Sequence, residues 1–341
     1  MSDPTYSRVF GVGLAGPAIA PSERRVLESH PPRAVILFRR NIESVEQILS
    51  LTGDIRNLPG RPKICVDQEG GPVDRFRDLL GPSISFREAA ASGCARRAGE
   101  LAGEACAALG FDVDLAPVAD RLLPGASERV LRDRCASGDP AQVTRACLEF
   151  LDGLHARGVG GCVKHFPGLG RASLDTHKEL PVIPPDPEEE GRDLAPFEAT
   201  MRSARAVMIS HAAGPDGAPA SLSPARATGL LRGGLGFAGA AFSDDLEMGA
   251  LSAFGSLRER CAAAAIAGCD LLLVCSRIDE YPDCVEEVGR EVPPGRLAEA
   301  SARLDAYAQH LDEIRRSALI PERPLAGLTA DIAALRAISE V

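Results

Sequence analysis

Apolar residues recur along the chain in short runs of strand length, and most runs are followed by a stretch with helical character. Eight runs are expected to form strands: Val9 to Leu14, Ala34 to Phe38, Lys63 to Val66, Phe111 to Leu115, Gly160 to Lys164, Ala206 to Ile209, Ala240 to Phe242 and Asp270 to Val274. Amphipathic helices are expected over Ser44 to Arg56, with Ser44 at the N-cap, and over Ala89 to Leu109, Ala141 to Ala156, Asp193 to Ser203 and Leu251 to Ala267. Alternation of this kind is the mark of repeated βα units around a parallel sheet.

Eight strands with intervening helices fit an α/β fold of the (β/α)8 TIM-barrel type better than an open doubly wound sheet, which usually has about five or six strands. The open sheet also carries a Gly-rich phosphate turn after its first strand, and Gly11, Gly13 and Gly16 do spell G-x-G-x-x-G. Pro17 follows the third glycine at once, however, where the dinucleotide motif needs the N–H groups of a helix already under way. No cofactor is therefore expected. Pro293 to Val341 reads as a helical tail with the packing stripe Leu297, Ala300, Leu304, Tyr307, Leu311 and Ile314. Residues 1–292 are thus assigned to the barrel and 293–341 to a helical extension of the same single domain, a size that suits one large unit.

Composition narrows the function. Hydrophobic residues at 45% and charged ones at 25% describe an ordinary globular protein with a sizeable core, and a net charge of −10 offers no basic field for nucleic acid. The ten cysteines are scattered without a C-x-x-C pair, which points to a reducing compartment and no structural zinc. The first ten residues lack a signal-peptide core, and no stretch approaches the roughly 20 apolar residues of a membrane span. A cytosolic protein with no membrane partner is expected.

Barrel enzymes carry their chemistry at the carboxyl ends of the strands, so the residues just after each apolar run matter most. Strand three ends at Asp67, strand five in Lys164-His165, strand six in Ser210-His211 and strand seven in Ser243-Asp244-Asp245. A carboxylate fixed by the sheet, such as Asp244, can attack an anomeric carbon or stabilise an oxocarbenium ion; alone, it could equally be bonding a loop amide. Asp245 is given the loop-positioning role. Asp175 and His177 stand two apart, so in an extended loop they project to one side, and the carboxylate would orient the imidazole as acid and base. A plain loop-stabilising contact is the alternative. Lys164 and His165 can donate to sugar hydroxyls, or Lys164 can pair with Asp67. Arg75 and Arg134 are candidate ligand clamps, or surface ion pairs. The six histidines lie apart with no H-E-x-x-H, and there is no G-x-S-x-G or phosphate loop, so no metal site is assigned.

Taken in order, these segments resemble the bacterial β-N-acetylhexosaminidases of glycoside hydrolase family 3, single-domain enzymes of peptidoglycan recycling. The likeness runs from Val35-Ile36-Leu37-Phe38 and Arg40-Asn41 through Val66 to Gly71, Asp114 to Val118, Lys164 to Gly168 and Asp175-Thr176-His177. It continues through Met208 to His211, Phe242 to Leu246 and Ala267 to Asp270. The resemblance implies Asp244 as nucleophile, His177 with Asp175 as acid and base, and Asp67, Arg75, Arg134, Lys164 and His165 as sugar-binding residues. It also implies cleavage of N-acetylglucosamine from muropeptides through a covalent intermediate, without a metal. Three positions depart from the family's usual pattern: Leu169 stands for a second histidine, Arg132 for a glycine and Pro72 for an arginine. A β-glucosidase or phosphorylase of the same family, and a sugar-binding barrel without turnover, are the alternatives.

Overall fold

The computed structural model describes residues 6–123, 131–172, 180, 182–214, 217–319 and 324–339. Nine strand segments, all paired in parallel, make one sheet: β1 (Phe10–Gly13), β2 (Ala34–Leu37), β3 (Lys63–Val66), β4 (Val113–Asp114), β5 (Gly160–Gly161), β6 (Val163–Phe166), β7 (Ala206–Ile209), β8 (Ala240–Asp245) and β9 (Leu271–Val274). Their order is β5-β4-β3-β2-β1-β9-β8-β7-β6. The two edge segments, β5 and β6, are halves of a single run divided at Cys162. A parallel bridge between Val118 and Lys164, with Lys164 N–H donating to Pro117 O at 3.1 Å, ties the second half to the strand-four side. The sheet therefore closes as the expected barrel, with all eight expected strands present and the fifth one split.

The strands are buried on both faces because helices cover the outside and side chains fill the inside, which is why their sequences read as unbroken apolar runs. Gly13 shows how tight the closure is: a Cβ there would lie 1.9 Å from Cys275 O, just past β9. The first two glycines of G-x-G-x-x-G thus belong to the strand, and the next helix starts only at Pro21.

Three helices differ from expectation at their ends. The stretch expected as Ala89 to Leu109 is two helices, Phe86–Ala91 and Ala95–Ala108, interrupted where Gly93 adopts φ +69°. Asp186 caps Pro187–Ala204 by accepting from Glu189 N, so this helix begins before Asp193. Ser256 and Glu259 form a capping box that starts Leu257–Ala267 later than Leu251.

The helix Pro294–Ser317 buries the six residues of its expected stripe. Leu304, Tyr307 and Leu311 face Ala34, Lys63 and Leu271, the first residues or so of their strands, and so cover the amino end of the barrel. Buried Asp270 holds that end together, accepting from Arg232 (2.6 Å), Arg296 (2.7 Å) and Arg303 (3.2 Å). Among the described residues, the carboxyl end keeps an open cleft. All ten cysteines are free thiols, and no helix among the described residues is long and apolar enough to cross a membrane.

Candidate active site

The carboxyl ends of the strands surround a cleft of about 360 Å³, which is enough for a small organic ligand. Ile36, Phe38, Leu115, Met208 and Leu273 give it apolar walls, and Asp67, Glu69, Arg75, Arg134, Lys164, His165, Asp244 and Asp245 supply polar groups. All six candidates from the sequence that lie in described residues, namely Asp67, Arg75, Arg134, Lys164, His165 and Asp244, thus meet in one place. His177 and Asp175 lie outside the described residues. The chain on either side of them is tied down: Arg171 donates to Asp193 at 2.7 Å and to Pro184 O at 2.6 Å, and Ile183 N–H donates to Ala213 O at 3.0 Å.

The turn after β3 is built by Gln68. Its amide nitrogen donates to Asp74 at 2.9 Å and its oxygen accepts Arg75 N–H at 2.9 Å, which folds Arg75 back towards Asp67. Opposite charges then follow one another around the cleft. Arg75 lies 3.7 Å from Asp67, and Asp67 accepts from Lys164 at 2.7 Å. Lys164 also reaches Glu69 at 2.5 Å, and Glu69 takes Arg134 in a two-point grip at 2.7 and 2.9 Å. Arg134 in turn lies 3.3 Å from His165 Nε2, and His165 Nδ1 is 2.6 Å from Asp120. The pairing of Lys164 with Asp67 that the sequence left open is present, and it coexists with a place in the cleft.

Burial alone would disfavour these charges, but the partners outweigh it. Lys164 is pulled down by burial yet held above its ordinary value by Asp67 and Glu69, and Glu69 is pushed up by burial yet held well below the usual carboxylate range by Arg134 and Lys164. Beneath them Asp114 is fully buried, its carboxyl pushed well up by that burial, with one oxygen accepting Gln68 N–H.

Asp244 is the last residue but one of β8 and is partly exposed to the cleft. Its Oδ1 accepts Asp245 N–H at 2.8 Å, the loop-amide contact weighed from the sequence. Burial pushes the carboxyl up, but His211 and His165 when protonated, the Asp245 N–H and Lys164 hold it below the ordinary value. Asp245 goes the other way: burial and the nearby Glu247 push it up to about 7. The two neighbouring carboxyls are thus shifted in opposite directions, Asp244 down and Asp245 up. His211 braces them, since its Nε2 donates to Asp245 O at 2.8 Å and its Nδ1 meets Ser221 Oγ at 2.7 Å.

Sequence reasoning left Glu69, Asp120 and His211 without roles. Glu69 lay within a quoted segment and His211 at a named strand end, so both were visible; Asp120 was signalled only as an acid closing the apolar run Leu115 to Ala119. The three departures sit quietly. Leu169 is buried in a small apolar cluster with Val118, Leu131, Cys135, Ala172, Ile183 and Ala212, while Arg132 and Pro72 are exposed and Arg134 keeps its place on Glu69.

Residues 11–314 match the glycosyl hydrolase family 3 N-terminal domain. The beta-hexosaminidase of Stenotrophomonas maltophilia (strain K279a) is 36% identical over 307 residues, which is 86% of this chain and 89% of that protein. That of Xanthomonas oryzae pv. oryzae (strain MAFF 311018) is 37% identical over 304 residues, 85% of this chain and 89% of its own. Among solved structures, NagZ from Neisseria gonorrhoeae in complex with N-trifluoroacetyl-D-glucosamine is similar with a TM-score of 0.81 at 28% identity, covering 98% of each chain. A family 3 beta-N-acetylglucosaminidase from Paenibacillus sp. str. FPU-7 gives a TM-score of 0.86 at 28% identity, covering 97% of this chain and 68% of that one. With the barrel, the cleft and these relatives in agreement, the chain belongs to glycoside hydrolase family 3, as a glycosidase of the β-N-acetylhexosaminidase kind.

Proposed function

We propose that the protein is a retaining exo-β-N-acetylglucosaminidase that removes terminal N-acetylglucosamine from peptidoglycan fragments. The observation that carries this reading is the place of Asp244. Asp67 and Glu69 are taken up by direct ion pairs, whereas Asp244 stands partly exposed in the cleft and makes no ion pair among the described residues, with its carboxyl held below the ordinary value. Such a carboxylate is available to an electrophile.

In the first step Asp244 forms a bond to the anomeric carbon as the bond to the leaving oxygen breaks, and His177, oriented by Asp175, gives that oxygen its proton. In the second step the neutral His177 takes a proton from water, whose oxygen attacks the same carbon and frees Asp244. Two inversions give net retention. Asp67, Arg75, Arg134, Lys164 and His165 hold the sugar. Relatives named beta-hexosaminidase, and a similar solved structure in complex with an N-acylated glucosamine, support the sugar. Ten unpaired thiols suit a cytoplasmic protein.

The test is release of nitrophenol from the β-N-acetylglucosaminide and the β-glucoside by wild type, Asp244→Ala and His177→Ala, with and without phosphate. Turnover of the first substrate, indifferent to phosphate and lost in Asp244→Ala, is expected. His177→Ala should keep far more activity on nitrophenyl than on disaccharide substrates, because a good leaving group needs no acid. Release of sugar 1-phosphate would replace water with phosphate as the acceptor, and turnover surviving in Asp244→Ala would sink the assignment.

A further inference from the structure

Asp120 is fully buried under the cleft, and its hydrogen bonds run to the segment that carries His165. Oδ2 lies 2.6 Å from His165 Nδ1 and accepts His165 N–H at 3.3 Å, while Oδ1 accepts Leu169 N–H at 2.7 Å. Both oxygens are thereby used as acceptors, so Nδ1 is the nitrogen that carries the proton. The other nitrogen, Nε2, is 3.3 Å from Arg134 Nη2, and a guanidinium only donates.

One form of the ring satisfies both neighbours: neutral, with the proton on Nδ1 and a lone pair on Nε2. The opposite tautomer would set a lone pair against the carboxylate and a proton against the guanidinium. An imidazolium would satisfy Asp120 but add a second positive donor facing Arg134, whose own charge is already fixed in place by Glu69.

We infer that Asp120 is a positioning residue that fixes His165 as a hydrogen-bond acceptor at the cleft: its single Nε2 lone pair faces Arg134 Nη2 at 3.3 Å in the free protein, and a substrate hydroxyl that donates to Nε2 takes the place of that contact. This reverses the donor role suggested by the sequence, and it rests on the reading that His165 binds the sugar. It also divides the work of recognition. Lys164 and Arg134 can only donate to the sugar, and His165, beside the carboxylate of Asp67, supplies a place where a hydroxyl must give up its proton direction. A group without a proton to donate, such as fluorine or methoxy, does not meet that requirement.

The test begins with the intact wild-type protein labelled with ¹⁵N-histidine, without ligand and at about pH 8, where an ordinary imidazole is neutral. With six histidines in the chain, the His165 signal is identified by its loss in His165→Gln. A proton on Nδ1 and a bare Nε2 are expected; a proton on Nε2 overturns the inference without any variant having to fold. In Asp120→Asn the His165 signal should move towards a mixture of tautomers, and KM should rise about tenfold, as for loss of one charge-assisted hydrogen bond, with kcat changing less. An unchanged tautomer in that variant contradicts the positioning role. An unchanged KM in His165→Ala would sink the sugar-binding reading and this inference with it, whereas a raised KM there beside the wrong tautomer would sink the inference alone.

Discussion

Replacing Glu69 by glutamine asks whether the charges of the cleft hold one another in place. The Glu69 side chain is 2% exposed, and it accepts from Arg134 at 2.7 and 2.9 Å and from Lys164 at 2.5 Å. Glutamine keeps the shape, but one of its two ends becomes a donor and must face a guanidinium or an ammonium. Breaking one side of a buried ion pair costs about 3–5 kcal/mol, and the lower end applies because Lys164 keeps Asp67. With an unfolding entropy of about 2.1 cal/mol/K per residue, a chain of 341 residues loses about 4 °C in Tm for about 3 kcal/mol. The pH dependence has a definite sign. Arg134 and Lys164 outweigh burial and depress the folded-state pKa of Glu69 below its ordinary 4.5, so its contribution is complete above that value and is lost as the pH falls towards the folded one. Thermal unfolding followed by circular dichroism should therefore show the full gap between wild type and Glu69→Gln near neutrality and a narrowing gap below pH 4.5. A gap under about 1 °C at neutral pH, where about 4 °C is expected, or one that widens in acid, would refute the reasoning.

Two further outcomes are expected on similar grounds. Asp245 is raised from 3.8 to about 7 by burial and Glu247, so its contribution is present below 3.8 and is lost as the pH rises through 7. Asp245→Asn should gain stability relative to wild type across that interval and hold the gain above it, as read from urea midpoints at several pH values; a difference independent of pH would contradict the shift. Asp270→Asn leaves three arginines at the amino end of the barrel short of a charge, and about 3–5 kcal/mol of stability should go with it. The folded variant should keep its kcat/KM, since Asp270 is far from the carboxyl ends of the strands; loss of activity in well-folded protein would argue against that separation.

How much of the fold and the cleft was legible in the sequence depends on how local each signal was. Strands buried on both faces write themselves as apolar runs, and β2, β3, β7 and β9 lie within a residue of the expected limits. The fifth strand reads as continuous because the division at Cys162 arises from pairing on two sides, with β4 on one and β7 on the other. Helix ends were missed where short-range capping decided them, as at Ser256 and Asp186. The cleft was legible as a set of polar strand ends. A linear reading could not supply the order of contacts: that Glu69 joins Lys164 to Arg134, or that Asp120 grips His165 from below, comes from the barrel bringing strands three, four and five side by side.

The central claim is that Asp244 becomes bonded to the sugar. Wild-type protein would be mixed with an activated, ring-fluorinated N-acetylglucosaminide, which slows the second step more than the first, then digested and examined by mass spectrometry. One added sugar is expected on the peptide that contains Asp244, and none in Asp244→Asn. A sugar bonded elsewhere, or no adduct together with a product of inverted anomeric configuration, would contradict the claim.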